Sequence, residues 1–265
     1  MNLIILKIGG SLITDRKSNT PKINYKNLRR ISKEISSSYK KNNKKLIIIH
    51  GAGSYGHQIV KKTGIHKGIK NNKQLIAFAE TQKLQNELNV KVCEELIKQG
   101  IPAIPIQPSS SAIMNKKKLK KMNTEVIEKM LKINLVPVLY GVPAYDEKQK
   151  CSILSGDEIA PYLAIKLKAK KVIHATDVDG VFTADPKKDK TAELIPLITK
   201  KNLKEVKKAI SGSTNIDVTG GMTKKITEVL KLSKYGVETS LINGNKKENI
   251  KKELNNEKII KTKIR

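Results

Sequence analysis

The apolar run Leu46-Ile47-Ile48-Ile49 breaks directly into His50-Gly51-Ala52-Gly53-Ser54-Tyr55-Gly56-His57. The run reads as a buried strand. Three glycines within six residues, 51–56, let the backbone turn sharply and bring its N–H groups close to an anion. A histidine, not a Lys-Ser pair, closes the loop.

The rest of the chain supplies the sheet. Leu3–Ile8 reads as a strand ending in Gly9-Gly10-Ser11. Helical spacing of Leu28, Ile31, Ile35 and Tyr39 marks a helix over 25–39, and a longer one runs from about Lys73 to Gln99, stopped by Gly100. Short strands are expected at 103–106, 135–140, 172–175 and 238–242, a hairpin over 141–153, and helices over 124–132, 202–210, 222–235 and 249–254. Ser155-Gly156-Asp157-Glu158 has capping-box spacing and opens a helix reaching about Lys168. Residues 259–263 read as a closing edge strand, and the lysine clusters 116–121 and 187–190 as loops. Strands alternate with helices throughout, which predicts an α/β fold: an αβα sandwich around a central, mostly parallel sheet. With 265 residues the chain suits a single domain.

Lysine and arginine number 53 against 24 acids, a formal charge of +29. A basic surface is also what a nucleic-acid binder carries. Here the lysines are spread along the whole chain, with no arginine-rich tract and no aromatic-interleaved motif, so a solvated surface is the simpler account and no nucleic acid is expected. Cys93 and Cys151 fit no metal or disulfide spacing and read as reduced thiols. No apolar run approaches the ~18–20 residues of a membrane span, and the apolar stretch before Lys7 lacks the charged start and cleavage site expected of a signal peptide. A cytoplasmic location is expected.

GAGSYG matches a dinucleotide-binding fingerprint, but that motif needs a second strand and an acid about 20 residues on. The chain instead enters a long helical pattern, and Glu80 falls mid-helix. A P-loop would need Lys-Ser/Thr after the last glycine, where His57-Gln58 stands. Lys7 is singled out independently, because a lysine inside an apolar strand is costly to bury without an anion. Its alternative is a charge on an edge strand.

Five segments, KIGGS (7–11), HGAGSYGH (50–57), SGD (155–157), TDVDGVF (176–182) and DVTGGMTKK (217–225), occur in order along nearly the whole chain. Together they resemble the amino acid kinase family, and the histidine in the glycine loop resembles its isopentenyl phosphate branch. Fosfomycin kinases share that histidine and are the nearest alternative. The resemblance implies transfer of phosphate from ATP to isopentenyl phosphate, giving isopentenyl diphosphate and ADP. It also implies Mg2+ held mainly through ATP phosphates, a homodimer, an acceptor lobe over 1–140 and an ATP lobe over 141–265.

Residue roles follow from the same resemblance. Lys7, Gly9, Gly10, Ser11, Gly53, Asp177, Asp179, Gly180, Gly221 and Lys225 would meet ATP. Gly51, Ala52, Gly53, His57 and Gly156 would hold the acceptor, with His57 donating to its phosphate. Asp157 would orient the lysines, although an acid behind Ser155 is also ordinary helix N-terminal chemistry. Asp179-Gly180 is likewise a good turn pair. Where the family usually has a lysine after GGSxxT, this chain has Arg16 followed by Lys17, and which of them acts stays open. Ala52 stands where many relatives have glycine, and Gly141-Val142 where relatives often read Gly-Asp. Phe78, Ile104 and Ile106 are candidates for the acceptor's apolar slot, or ordinary core. His50 reads as structural, and His66 and His174 carry no assignment.

Overall fold

The protein is described from a computed structural model. It covers residues 2–15, 18, 20–41, 44–184, 186, 188–211 and 221–265, with only the backbone of 209–211 and 221–225. In chain order the strands are β1 (Leu3–Ile8), β2 (Lys45–His50), β3 (Ala103–Pro105), β4 (Ala112–Asn115), β5 (Lys118–Met122), β6 (Val136–Tyr140), β7 (Val142–Ala144), β8 (Ser152–Leu154), β9 (Lys171–Thr176), β10 (Val181–Phe182), β11 (Leu194–Ile195), β12 (Leu197–Ile198), β13 (Glu238–Asn243) and β14 (Thr262–Ile264). The helices are α1 (Gly10–Ile13), α2 (Tyr25–Tyr39), α3 (His57–Thr63), α4 (Asn72–Ile97), α5 (Glu125–Lys132), α6 (Gly156–Lys166), α7 (Leu203–Ser211), α8 (Gly221–Leu230) and α9 (Asn249–Leu254).

Eight strands form one sheet in the order β12-β14-β13-β9-β1-β2-β6-β3, and every neighbouring pair is parallel except β13 with β14. The predicted αβα sandwich is therefore present. Alternate residues of β1 serve opposite faces, as strand geometry requires. Ile4, Leu6 and Ile8 join α2, α9 and the distal part of α4, whereas Leu3 and Ile5 join α5 and α6. A smaller core binds α7 and α8 to β13 and β14 through Val206, Ile226, Val229, Leu241 and Ile264.

Three expectations need correction. Residues 116–121 are not a loop: Lys118–Met122 is β5, paired antiparallel to β4. The turn between these strands sets Lys116 and Lys117 at φ 50° and 64°. Buried Asp146 fixes it by accepting the N–H of Lys116 (3.2 Å) and of Lys117 (2.8 Å). Burial alone would raise the Asp146 pKa, but these and neighbouring backbone donors hold it below the usual carboxylate value. The last strand is not an edge, since β14 lies between β12 and β13. The helical stretch near 222–235 is α8 followed by a 3-10 turn over Lys231–Tyr235.

At the end of the sheet where β1 and β9 begin, a charged cluster closes the core. Fully buried Glu253 on α9 lies 2.6 Å from Lys171 Nζ and also pairs with Lys261. Lys171 is itself buried and donates to the Glu253 carbonyl and the Asn256 side chain.

Candidate active site

The chain leaves β1 for β2 and β6 on one side and for β9 and β13 on the other. Ligands of open α/β sheets bind beyond the C-terminal strand ends at such a point. There, glycine follows β1 (Gly9), β2 (Gly51), β6 (Gly141) and β13 (Gly244), while Asp177 follows β9. Gly9 donates to Ala175 O, Gly51 to Ile8 O, Gly141 to His50 O and Gly244 to Thr176 O, so each turn is tied to its neighbouring strand.

The turns after β1 and β2 touch backbone to backbone. A Cβ on Gly10 would come within 2.4 Å of Gly53 N, and one on Gly51 within 2.6 Å of Gly10 N. Gly53 has φ +52°, and a Cβ there would strike Thr14 Oγ1. That hydroxyl accepts from Ser54 N and donates to Gly10 O, which clamps the two turns together. The pair brings Gly9, Gly10, Ser11, Gly51, Ala52 and Gly53 into one wall of main chain.

Lys7 is 7% exposed on central strand β1, which removes the edge-strand alternative. Its Nζ lies 3.1 Å from Asp157 Oδ1. Asp157 sits in the first turn of α6, whose N-cap Ser155 accepts the Asp157 N–H at 3.1 Å. Asp157 therefore lies at a helix N-terminus and also pairs with the buried lysine. Gly156 lets α6 approach, because a Cβ there would be 3.1 Å from Ile49 and 3.6 Å from Lys7 Cε.

His57 is exposed at the first position of α3, directly behind the glycine turn. Gly56 before it packs against α4, where a Cβ would meet Gln85 Nε2 at 2.5 Å. Gln58 of the same turn donates to Ser18 O at 2.8 Å, which ties α3 to the segment after α1. Arg16 and Lys17 of that segment lie outside the described residues. Gly221 opens α8, and the Lys225 side chain also lies outside the description.

Beyond β9, Asp177 and Asp179 are half-buried, and Asp179 Oδ1 lies 2.7 Å from Lys246 Nζ. Gly180 packs where a Cβ would meet Thr262 Oγ1 at 2.3 Å, so this turn lies against β14. Phe78, Ile104 and Ile106 do not converge. Phe78 packs with Ile59, Val60 and Ile65 between α3 and α4, Ile104 lies on edge strand β3, and Ile106 packs on the α6 side.

Sequence reasoning missed the polar floor under the β2 turn. His50 is fully buried, stacks on Tyr140 at 5.5 Å, and places Nε2 3.1 Å from Asn89 Oδ1. Gln82, Asn86 and Asn89 of α4 face this floor, contacting Tyr140, His50 and the Val138 carbonyl. A polar stripe at helical spacing along α4 was the available signal.

Burial pushes the His50 imidazole down to about 4, against weaker opposing pulls from its Gly51 and Asn89 contacts. The unfolded chain then binds a proton near pH 6.5 that the folded one refuses. Stability is lost as pH falls from about 6.5 toward 4. At pH 4.5 the loss from this group is about 2–3 kcal/mol relative to pH 7. Urea unfolding of wild type and His50→Gln at both pH values tests this, with a smaller acid loss expected for the variant.

The sequence model of the amino acid kinase family matches residues 2–243. Isopentenyl phosphate kinase of Methanothermobacter thermautotrophicus is 38% identical over 99% of this chain and 98% of its own length. The Methanocaldococcus jannaschii isopentenyl phosphate kinase is 41% identical over 95% of each. A solved isopentenyl phosphate kinase superposes with a TM-score of 0.87 at 35% identity, covering 99% of this chain and all of its own. The family model over residues 2–243, with relatives at 38% and 41% identity along nearly the whole chain, makes this chain a member of the amino acid kinase family.

Proposed function

We propose that the protein transfers the γ-phosphoryl group of ATP to isopentenyl phosphate, giving isopentenyl diphosphate and ADP in isoprenoid biosynthesis. The observation that carries this is end-to-end likeness to isopentenyl phosphate kinases at 38% and 41% identity. The position of His57 behind the paired glycine turns supports it.

In this reading Gly10, Ser11 and Gly53 offer main-chain N–H groups to the ATP phosphates, Gly9 borders them with its own N–H held by Ala175 O, and Lys7 meets the transferring group. Asp157 holds Lys7 in place. Asp177, Asp179 and Gly180 line the nucleotide, and Gly221 with Lys225 reaches its phosphates from α8. Gly51, Ala52, Gly53 and Gly156 border the acceptor, while His57 donates to its phosphate. Arg16 or Lys17 adds charge on the transferring group. An acceptor oxygen forms the new P–O bond as the β–γ bridging bond breaks, with the electron pair leaving on ADP. No general base is required, because a phosphate monoester oxygen is already a nucleophile near neutral pH. The residues' task is positioning and charge neutralisation.

Lysine and main-chain N–H donors suit phosphate oxygens. Mg2+ is expected to arrive on ATP and neutralise phosphate charge there. The acceptor side corresponds to 1–140 and the nucleotide side to 141–265. The apolar cluster of Ile59, Val60, Ile65 and Phe78 is the candidate wall for the acceptor's tail. A homodimer is proposed by family likeness. No helix among the described residues is long and apolar enough to cross a membrane, in keeping with the proposed cytoplasmic location.

ADP release should be measured with isopentenyl phosphate, fosfomycin and small carboxylates. Turnover confined to fosfomycin would replace the reading with that of a phosphonate kinase. In the same assay His57→Ala is expected to lower kcat/KM for isopentenyl phosphate about ten- to a hundredfold, the size of one charge-assisted hydrogen bond, while ATP binding persists. Unchanged turnover by this variant would remove His57 from acceptor recognition.

A further inference from the structure

Lys7 of β1 and His174 of β9 are register partners in the parallel sheet, so their side chains emerge on the same face. That face is covered by the first turns of α6, which carry Asp157. Asp157 Oδ1 lies 3.1 Å from Lys7 Nζ and 3.4 Å from His174 Nδ1. One carboxylate oxygen is thus flanked by two nitrogens from adjacent strands. That oxygen is buried, although the Asp157 side chain as a whole is 30% exposed.

The two nitrogens differ in freedom. Lys7 ends a flexible four-carbon stem and, in the reading above, turns its ammonium toward a phosphate during the reaction. The His174 ring is completely buried, between β1 and β13 in the sheet. An imidazole with its proton on Nδ1 donates toward the carboxylate without carrying charge. We infer that His174 is a positioning residue that fixes the Asp157 carboxylate, and through it Lys7, while Lys7 engages the transferring phosphate. This rests on the proposed phosphoryl transfer. It makes the buried histidine part of the catalytic alignment, not merely core.

The test compares wild type with His174→Leu, which fills the space without a donor, and His174→Asn, which keeps a donor near the Nδ1 position. His174→Leu is expected to lower kcat about tenfold with both KM values within about twofold. His174→Asn is expected to recover most of the loss, which a purely structural role would not predict. In the ligand-free protein, the imidazole 15N signals of His174 should shift on Asp157→Asn. Wild-type kcat in His174→Leu, equal impairment in both variants, or unmoved 15N signals would each overturn the inference. Melting curves identify a variant that fails to fold, in which case the spectrum decides. If the wild-type protein itself does not phosphorylate isopentenyl phosphate, the functional reading fails instead, and the 15N comparison still judges the contact.

Discussion

Lys7→Met is expected to reduce kcat about a hundred- to a thousandfold while the melting temperature stays near that of wild type. The side chain is nearly buried on a central strand and is paired with a half-buried acid. Methionine keeps the stem's volume and removes only the charge. Removing one preorganised group that meets developing charge typically costs about 2.7–4 kcal/mol of transition-state stabilisation. Asp157 retains contact with His174, which limits the structural penalty. Lys7→Arg should not rescue activity, because a planar fork is a poor substitute for a point charge where Gly156 is packed close to the stem. Steady-state kinetics and melting curves check both statements, and wild-type turnover in Lys7→Met would remove the lysine from the chemistry.

The largest effect on stability is expected at the opposite end of the sheet. Glu253→Ala should destabilise the fold by about 3–5 kcal/mol, because it leaves the buried ammonium of Lys171 without its close counter-charge. Glu238 lies 3.6 Å from that ammonium but is half exposed and compensates little. A fall in melting temperature of about 10 °C corresponds to this loss in a chain of this size. The double replacement Lys171→Met with Glu253→Met should recover part of it, since apolar packing then replaces the pair while Lys261 still loses its partner. Denaturant titration of the single and double variants decides the matter, and a loss below about 1 kcal/mol for Glu253→Ala would contradict the argument.

The central strands and α2 were legible because apolar periodicity and burial coincide there: Leu46–Ile49 and Leu3–Ile8 lie inside the sheet. The β4–β5 hairpin was not, because its lysines face solvent and its turn is stabilised from 30 residues away by Asp146. Both central turn residues adopt positive φ without glycine, so local turn chemistry carried no sign of it. The place of β14 was hidden for a similar reason, since pairing on both sides depends on where β12 and β13 end up. Within the site, Lys7 was legible as a charge in an apolar strand. His174 offered the same sign in β9 but gains meaning only from the register that sets it beside Lys7.

The contact of Gly10 with Gly51 and Gly53 has a consequence for how such a site diversifies. Gly10 meets Gly51 and Gly53 main chain to main chain, so the separation of the two turns follows the spacing of β1 and β2, about 4.8 Å in any sheet, with the Thr14 hydroxyl clamping it. In the proposed reaction the distance between donor and acceptor phosphates then follows chiefly from backbone hydrogen bonding between the two strands. New acceptors have to be accommodated farther out, along α3 and α4, beyond the main-chain contact of the two turns.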